Sequence, residues 1–232
     1  MTAEAVQNEL LAVASPEKAQ FLKRFFKTGP GQYGEGDRFL GIVVPVTRKI
    51  VKAHRQTPLH EIRKLLQNPW HEVRLCALLM LVERCKKASA EERDAIVQCY
   101  LQHTDYVNNW DLVDLSCPEI IGTYLLDKDR GLLYELAAHP HLWEQRIAIV
   151  STLSLIRRGE LADTFALTEK LIHHRHDLIH KACGWMLREA GKQRREALTG
   201  FLEKFAPRLP RTTLRYAIEH YPEEERQYFL HK

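Results

Sequence analysis

No apolar run in these 232 residues approaches the roughly 20 that a membrane-spanning helix needs; the longest, such as Leu75 to Val82, stop far short. No basic-then-apolar leader follows Met1, so the chain reads as a cytoplasmic protein rather than a secreted one. Cysteine is scarce and scattered. Cys76, Cys85, Cys99, Cys117 and Cys183 are odd in number, sit mostly among apolar neighbours and never form CxxC, which fits reduced core thiols and speaks against cysteine-bound zinc. Strand-like alternation bounded by turns is nearly missing, and no Ser/Gly-rich or highly charged linker divides the sequence, so one domain over 1–232 is expected. There is no GxSxG, Walker or kinase motif, and no cysteine has a recognisable histidine partner, so nucleophilic triads find no support.

Helical signals fill the space. Apolar residues recur three and four apart in Leu75/Leu78/Leu79/Val82, Ile147/Val150/Leu153 and Ile218/Tyr221. Ser15-Pro16-Glu17, Thr57-Pro58, Asn68-Pro69 and His139-Pro140 read as helix starts, and Ser89-Ala-Glu-Glu92 as a capping box. These imply an all-α chain of about a dozen short helices. With 45% hydrophobic and 28% charged residues, it is long enough to bury roughly 70% of its unfolded surface without disulfides or metal. A formal charge of +4 is compatible with a polyanionic partner but too weak to establish one.

Segments starting at Glu72, Glu144, Ile179 and Thr213 each pair a basic residue (Arg74, Arg146, Lys181, Arg215) with an apolar helix face. Their spacing fits one or two multiples of about 36 residues, the size of a two-helix repeat that buries its apolar face only by stacking on neighbours. The predicted architecture is an α-solenoid. Trp110 and Asp114 fall in the slot between Arg74 and Arg146, so this register would set Arg, Trp/Asp, Arg, Lys/Trp and Arg along one concave wall.

Trp110-Asp-Leu-Val-Asp114 is the most informative stretch, because one helical turn places an indole and a carboxylate on the same face, a pairing suited to a cation. The bland reading is a buried indole and an acid that caps a helix or pairs with an arginine. Asn108, Asn109 and Asp111 add polarity, and Pro118 should bend or end the helix just after the acid, so the residues alone leave both readings open.

Three other constellations invite chemistry. Gly29-Pro-Gly31-Gln-Tyr-Gly34 spells GxGxxG, yet no buried strand precedes it and a proline sits inside, so a flexible loop is expected, offering Tyr33 or Arg38 to a partner. His173, His174, His176 and His180 crowd together without HExxH or a placed third ligand; a solvated turn with Asp177 as N-cap is the expectation. The basic amphipathic run Thr47 to Arg55, containing Arg48, is either a solvated face or a grip for phosphates.

Asn109-Trp110-Asp-Leu-Val-Asp114, Leu142-Trp-Glu-Gln-Arg146-Ile-Ala-Ile and His180-Lys-Ala-Cys-Gly-Trp185-Met-Leu-Arg-Glu189 together resemble the signature segments of the AlkD-type DNA alkylation-repair glycosylases, built from HEAT-like repeats. The likeness spans essentially the whole chain, to Pro210-Arg-Thr-Thr-Leu-Arg215-Tyr-Ala-Ile218. It implies a solenoid whose concave basic groove holds duplex DNA and releases cationic N3- or N7-alkylated purines as a monomer with no cofactor or metal. By motif, Asp114 would be the catalytic carboxylate, Trp110 and Trp185 its aromatic flanks, and Arg146 the arginine that holds the backbone. Lys181, Arg188, Arg215 and Arg48 would add phosphate contacts. Two departures stand out: Phe25 aligns where the family has a tyrosine, and the glycine-rich stretch Gly29 to Asp37 is absent from the founding type. The alternatives are a non-catalytic repeat module for damaged or branched DNA and a solenoid that binds proteins.

Overall fold

A computed structural model describes residues 1–232. The chain is all-α, with fourteen α-helices joined by short 3₁₀ and π turns and no β-strand, as the periodicity predicted. No helix is long and apolar enough to cross a membrane. The chain divides into two compact units, Met1–Ser116 and Cys117–Lys232.

The first unit holds α1 (Ala3–Ala12), α2 (Pro16–Phe25), α3 (Val44–Ala53), α4 (Leu59–Leu66), α5 (His71–Cys85), α6 (Ala90–Leu101) and α7 (Trp110–Asp114). Its axis is α5, in which every residue from His71 to Val82 is buried. A helix apolar nearly all round must be wrapped on all sides, and α1, α3, α4, α6 and α7 all pack on it. Because α5 is buried from its first residue, the polar groups of its opening turn, His71, Glu72 and Arg74, lie inside the protein and need partners there. Glu72 finds them in backbone: its carboxylate accepts the N–H groups of Leu40 (2.8 Å), Gly41 (2.8 Å) and Ile42 (3.1 Å).

The second unit holds α8 (Gly131–Ala138), α9 (Leu142–Arg157), α10 (Ala162–Lys170), α11 (Asp177–Gln193), α12 (Arg195–Phe205), α13 (Arg211–Ala217) and α14 (Glu223–His231). Here the repeat is plain. α9, α11 and α13 pack side by side in one layer, while α8 backs α9, α10 bridges α9 and α11, and α12 backs α11. Arg146, Lys181 and Arg215 therefore fall on three successive stacked helices, as the spacing of about one repeat required. α11 and α13 approach closely at Gly184, where a Cβ would lie 2.5 Å from Tyr216 Cβ and 2.7 Å from the Thr213 carbonyl oxygen.

Several start signals act as read and others a residue or two late. Ser15 caps α2 with Pro16 in the first turn, and Ser89 Oγ accepts the Glu92 N–H at 3.2 Å. Pro58 is itself the residue before α4, whereas Pro69 and Pro140 precede the residues that cap α5 and α9. Asp177 does not cap α11. His176 does, its Nδ1 accepting the Leu178 N–H at 3.1 Å, which frees Asp177 to pair with Lys181 at 2.8 Å. Pro118 opens a π-helical turn, Pro118–Gly122, soon after α7 ends. All five cysteines are buried and none is in a disulfide.

We propose that the 232 residues unfold as one cooperative domain, since no linker sequence separates the units. A single calorimetric transition is expected, and two resolved transitions would contradict it. Gly184→Ala should cost about 1–3 kcal/mol through overpacking of α13, lowering the melting temperature by roughly 2–4 °C per kcal/mol for a chain of this size.

Candidate active site

α7 is five residues long, too short to be stable alone. Three devices hold it. Asn109 caps it, with Oδ1 accepting the Trp110 N–H at 2.9 Å. Leu112 and Val113 are fully buried beneath it. The third device is ionic: Asp111 Oδ2 accepts a hydrogen bond from His71 Nε2 at 2.9 Å, and the opposite nitrogen, Nδ1, donates to Asp37 Oδ2 at 2.7 Å. Arg74 Nη2 then donates to Asp37 Oδ1 at 2.8 Å and to Asn108 Oδ1 at 3.0 Å, and its other nitrogens reach the carbonyls of Asn68 and Tyr106. Two acids and two bases thus lie buried under the turn that carries Trp110 and Asp114.

Both ring nitrogens of His71 face carboxylates, so both must donate, and only imidazolium can do that. Burial alone would strip the proton, but the charge and hydrogen bond of Asp111, then those of Asp37, outweigh it and push the His71 pKa up to about 9. For Asp37, burial likewise works against the charged form; the hydrogen bond and charge of His71, with those of Arg74, prevail and hold its carboxyl below the usual value. The imidazolium also stacks on Phe39 at 4.5 Å between ring centroids and lies 5.1 Å from Phe26. Aromatic faces favour a cation. Phe26 in turn stacks on Trp110 at 5.3 Å, so one aromatic column runs from the buried histidine to the indole of α7.

On the outer face of α7, Trp110 and Asp114 sit four residues apart, one turn, and both are half-buried. An acid at a helix C-terminus gains nothing from the helix dipole, so helix stability does not account for it. Phe25 meets the Trp110 edge at 5.9 Å, and Phe21 stacks on Phe25 at 6.0 Å; these two phenylalanines are 52% and 60% exposed, a clear cost in water. Phe25 therefore stands beside Trp110.

The glycine-rich stretch Gly29 to Asp37 is a run of turns, mostly exposed, with Gly34 and Asp37 buried. Gly34 donates to the Lys27 carbonyl and packs so tightly that a Cβ would lie 2.4 Å from the Phe26 carbonyl oxygen. The stretch closes on buried Asp37, and the Arg38 carbonyl accepts the His71 N–H at 2.8 Å. Its glycines serve the path of the chain to Asp37. Arg74 departs from the expectation: it is 4% exposed and committed to Asp37, Asn108 and backbone, because α5 is buried from its first turn, and so it leaves the predicted wall.

In the second unit, Trp185 is half-buried on α11, one turn from the half-buried Lys181. Arg188 is half-buried and paired with Glu219 of the segment after α13. Arg146 is 5% exposed, and its Nη1 donates to the Leu178 carbonyl at 2.5 Å, tying α9 to the first turn of α11. Arg215 on α13 is exposed, as is Arg48 on α3 beside exposed Lys49 and Lys52. Ion pairs near the surface are worth only about 0–1 kcal/mol. The histidines serve structure: His174 Nε2 meets Gln145 Oε1 at 2.8 Å, and His180 Nε2 donates to the His174 carbonyl at 2.5 Å. Pattern reading missed His71, Asp37 and the role of Asp111. The only available sign was Asp37 at the end of a glycine run, and nothing local joins it to a histidine 34 residues away.

A sequence profile described as "DNA alkylation repair enzyme" matches residues 6–221. A solved structure, "Predicted DNA alkylation repair enzyme from Enterococcus faecalis", superposes with a TM-score of 0.72 at 19% identity, covering 90% of this chain and 97% of that one; at such identity the likeness is one of fold. No curated protein matches.

Replacing His71 by alanine leaves a buried carboxylate on α7 with no other hydrogen bond, since Asp111 Oδ1 has none. Loss of about 3–5 kcal/mol is expected in chemical denaturation. In the wild type the His71 contribution should be complete below pH 6.5 and vanish as pH rises through about 9, because the folded state holds the proton more tightly than the unfolded one.

Proposed function

We propose, from the premise that this chain belongs to the DNA alkylation repair enzyme family, that it is a DNA glycosylase hydrolysing the N-glycosidic bond of cationic N3- or N7-alkylated purines in duplex DNA. The family places the chain in the repair of alkylated DNA; the reaction is our reading. The observation that carries it is the α7 turn, where an indole and a carboxylate share one half-exposed face over a buried ionic support.

The chemistry fits these groups. Alkylation at N3 or N7 gives the purine a positive charge, so it departs with the bonding electron pair as a neutral base and needs neither a general acid nor a metal ion. Positive charge then develops on the deoxyribose, between C1′ and the ring oxygen. Asp114 is assigned to that charge: a fixed carboxylate stabilises the oxocarbenium-like transition state and orients the water that adds to C1′ and gives up a proton. Trp110 contributes its π face to the same cation, about 0.5–2 kcal/mol. From the resemblance, Trp185 is assigned to the sugar as well, and Lys181, Arg188, Arg215 and Arg48 to phosphates; Arg146, buried on α9 and bonded to the Leu178 carbonyl, ties α9 to α11 instead. Phosphate contacts position the duplex and carry no sequence information, so selectivity rests on the charge and lability of the lesion. The protein is taken to act as a monomer.

Incubated with methylated duplex DNA, the wild type is expected to release 7-methylguanine or 3-methyladenine without added cofactor. Asp114→Asn should lower release by about 100-fold or more, the usual loss of one preorganised charge-stabilising group, while DNA affinity in a gel-shift assay stays within a few-fold. Full activity in Asp114→Asn would remove the mechanism. Tight binding with no release by the wild type would instead mark a non-catalytic module for damaged DNA.

A further inference from the structure

Resting on that reading, we propose that His71 is a positioning residue of the site: held as an imidazolium between Asp37 and Asp111, it fixes α7, and with it Trp110 and Asp114, to the glycine-rich segment and to α5.

Connectivity makes the case. Asp111 follows Trp110 directly and precedes Asp114 by three residues, in a helix of only five. Its Oδ2 bonds to His71 and its Oδ1 is buried with no hydrogen-bond partner, so the hold on the Asp111 carboxylate comes through the histidine. Asp37 is bonded more richly: beside His71 it has Arg74 Nη2 at 2.8 Å and the Arg38 N–H at 2.9 Å. The charged groups around the ring are thus Asp37 from the glycine-rich segment, Asp111 from α7, and Arg74 of α5 itself. The ring faces carry Phe39 and Phe26, and Phe26 continues to Trp110.

A neutral imidazole donates from one nitrogen and presents a lone pair at the other. Removing one proton therefore turns one of the two carboxylate contacts from a hydrogen bond into a repulsion between buried acceptors. Whichever contact is lost, the link from the glycine-rich segment through His71 to α7 is cut. The pKa of about 9 keeps the link closed at neutral pH and opens it in mild alkali. Neither Asp37 nor His71 is assigned to substrate, so their influence on the reaction passes through the placement of α7. The glycine-rich segment then gains a purpose: it delivers the carboxylate that holds the histidine charged.

The test follows three signals in the full-length protein between pH 6 and 10: the His71 ring N–H resonances by nuclear magnetic resonance, the Trp110 indole N–H resonance assigned with Trp110→Phe, and kcat for base release from methylated duplex. Two ring N–H signals for His71 are expected at neutral pH, with a midpoint near 9. The Trp110 signal should shift with the same midpoint, and kcat should fall about tenfold per pH unit above it, the slope of a single proton. Asp111→Asn removes one carboxylate and should move all three midpoints to lower pH together, with KM for DNA little changed. An indole signal indifferent to the His71 titration would overturn the proposal, as would a kcat limb that stays put when Asp111→Asn shifts the histidine. If the indole follows His71 while no substrate yields free base, the positioning role stands and the glycosylase reading fails.

Discussion

A protonated imidazole shared by two buried aspartates is the constraint on which the first unit turns. Isolated, each of the three charges would be too costly to bury. Together, with Arg74 on the far side of Asp37, they form a chain of alternating sign in which nearly every donor faces an acceptor. Buried ionic clusters of this kind add little to stability compared with well-packed apolar residues. What this one does is geometric. It joins three pieces of chain remote in sequence, the end of the glycine-rich segment, the first turn of α5 and the short helix α7. Apolar packing under Leu112 and Val113 could hold α7 against the unit but not fix its rotation to the same degree, since packing tolerates small slides that two opposed hydrogen bonds do not.

The outer face of α7 gains from that rigidity. In the proposed reaction no bond to the protein forms, and the carboxylate acts through its charge and by orienting the water. Electrostatic stabilisation of that kind depends on the carboxylate being in place before the sugar becomes cationic, because a group that must swing into position spends its interaction on its own reorganisation. Nearby, the exposed rings of Phe21 and Phe25 extend the aromatic surface of Trp110 outward at the cost of contact with water. In the second unit the cations are graded from buried Arg146, through half-buried Lys181 and Arg188 in ion pairs, to exposed Arg215. Two of them pair with carboxylates, Lys181 with Asp177 and Arg188 with Glu219.

Periodicity carried the fold. The apolar spacing in α5, α9 and α11 and the caps at Ser15 and Ser89 are local properties, and the basic residue recurring once per repeat placed Arg146, Lys181 and Arg215 on neighbouring helices of one layer. The Trp110/Asp114 pair was legible for the same reason, since four residues are one turn whatever surrounds them. The supports were not legible. Asp37 and His71 are 34 residues apart and His71 and Asp111 are 40 apart, with no motif between them. Arg74 matched the repeat and still went elsewhere, because register tells which helix a residue is on and not whether that helix is buried all round. The glycine run serves two ends that its sequence does not separate: positive φ at Gly31 and Gly36, and close packing against the Phe26 carbonyl at Gly34.

The central claim, that this chain cleaves the bond between an alkylated purine and its sugar by adding water, is met most directly by following atoms. Methylated duplex DNA is treated with the wild-type protein in water enriched in oxygen-18, and both products are weighed by mass spectrometry. The account predicts free methylated purine carrying its methyl group, and an abasic deoxyribose with heavy oxygen newly bound at C1′. Unmethylated purine left in the duplex, with the methyl group found on the protein or elsewhere, would contradict it.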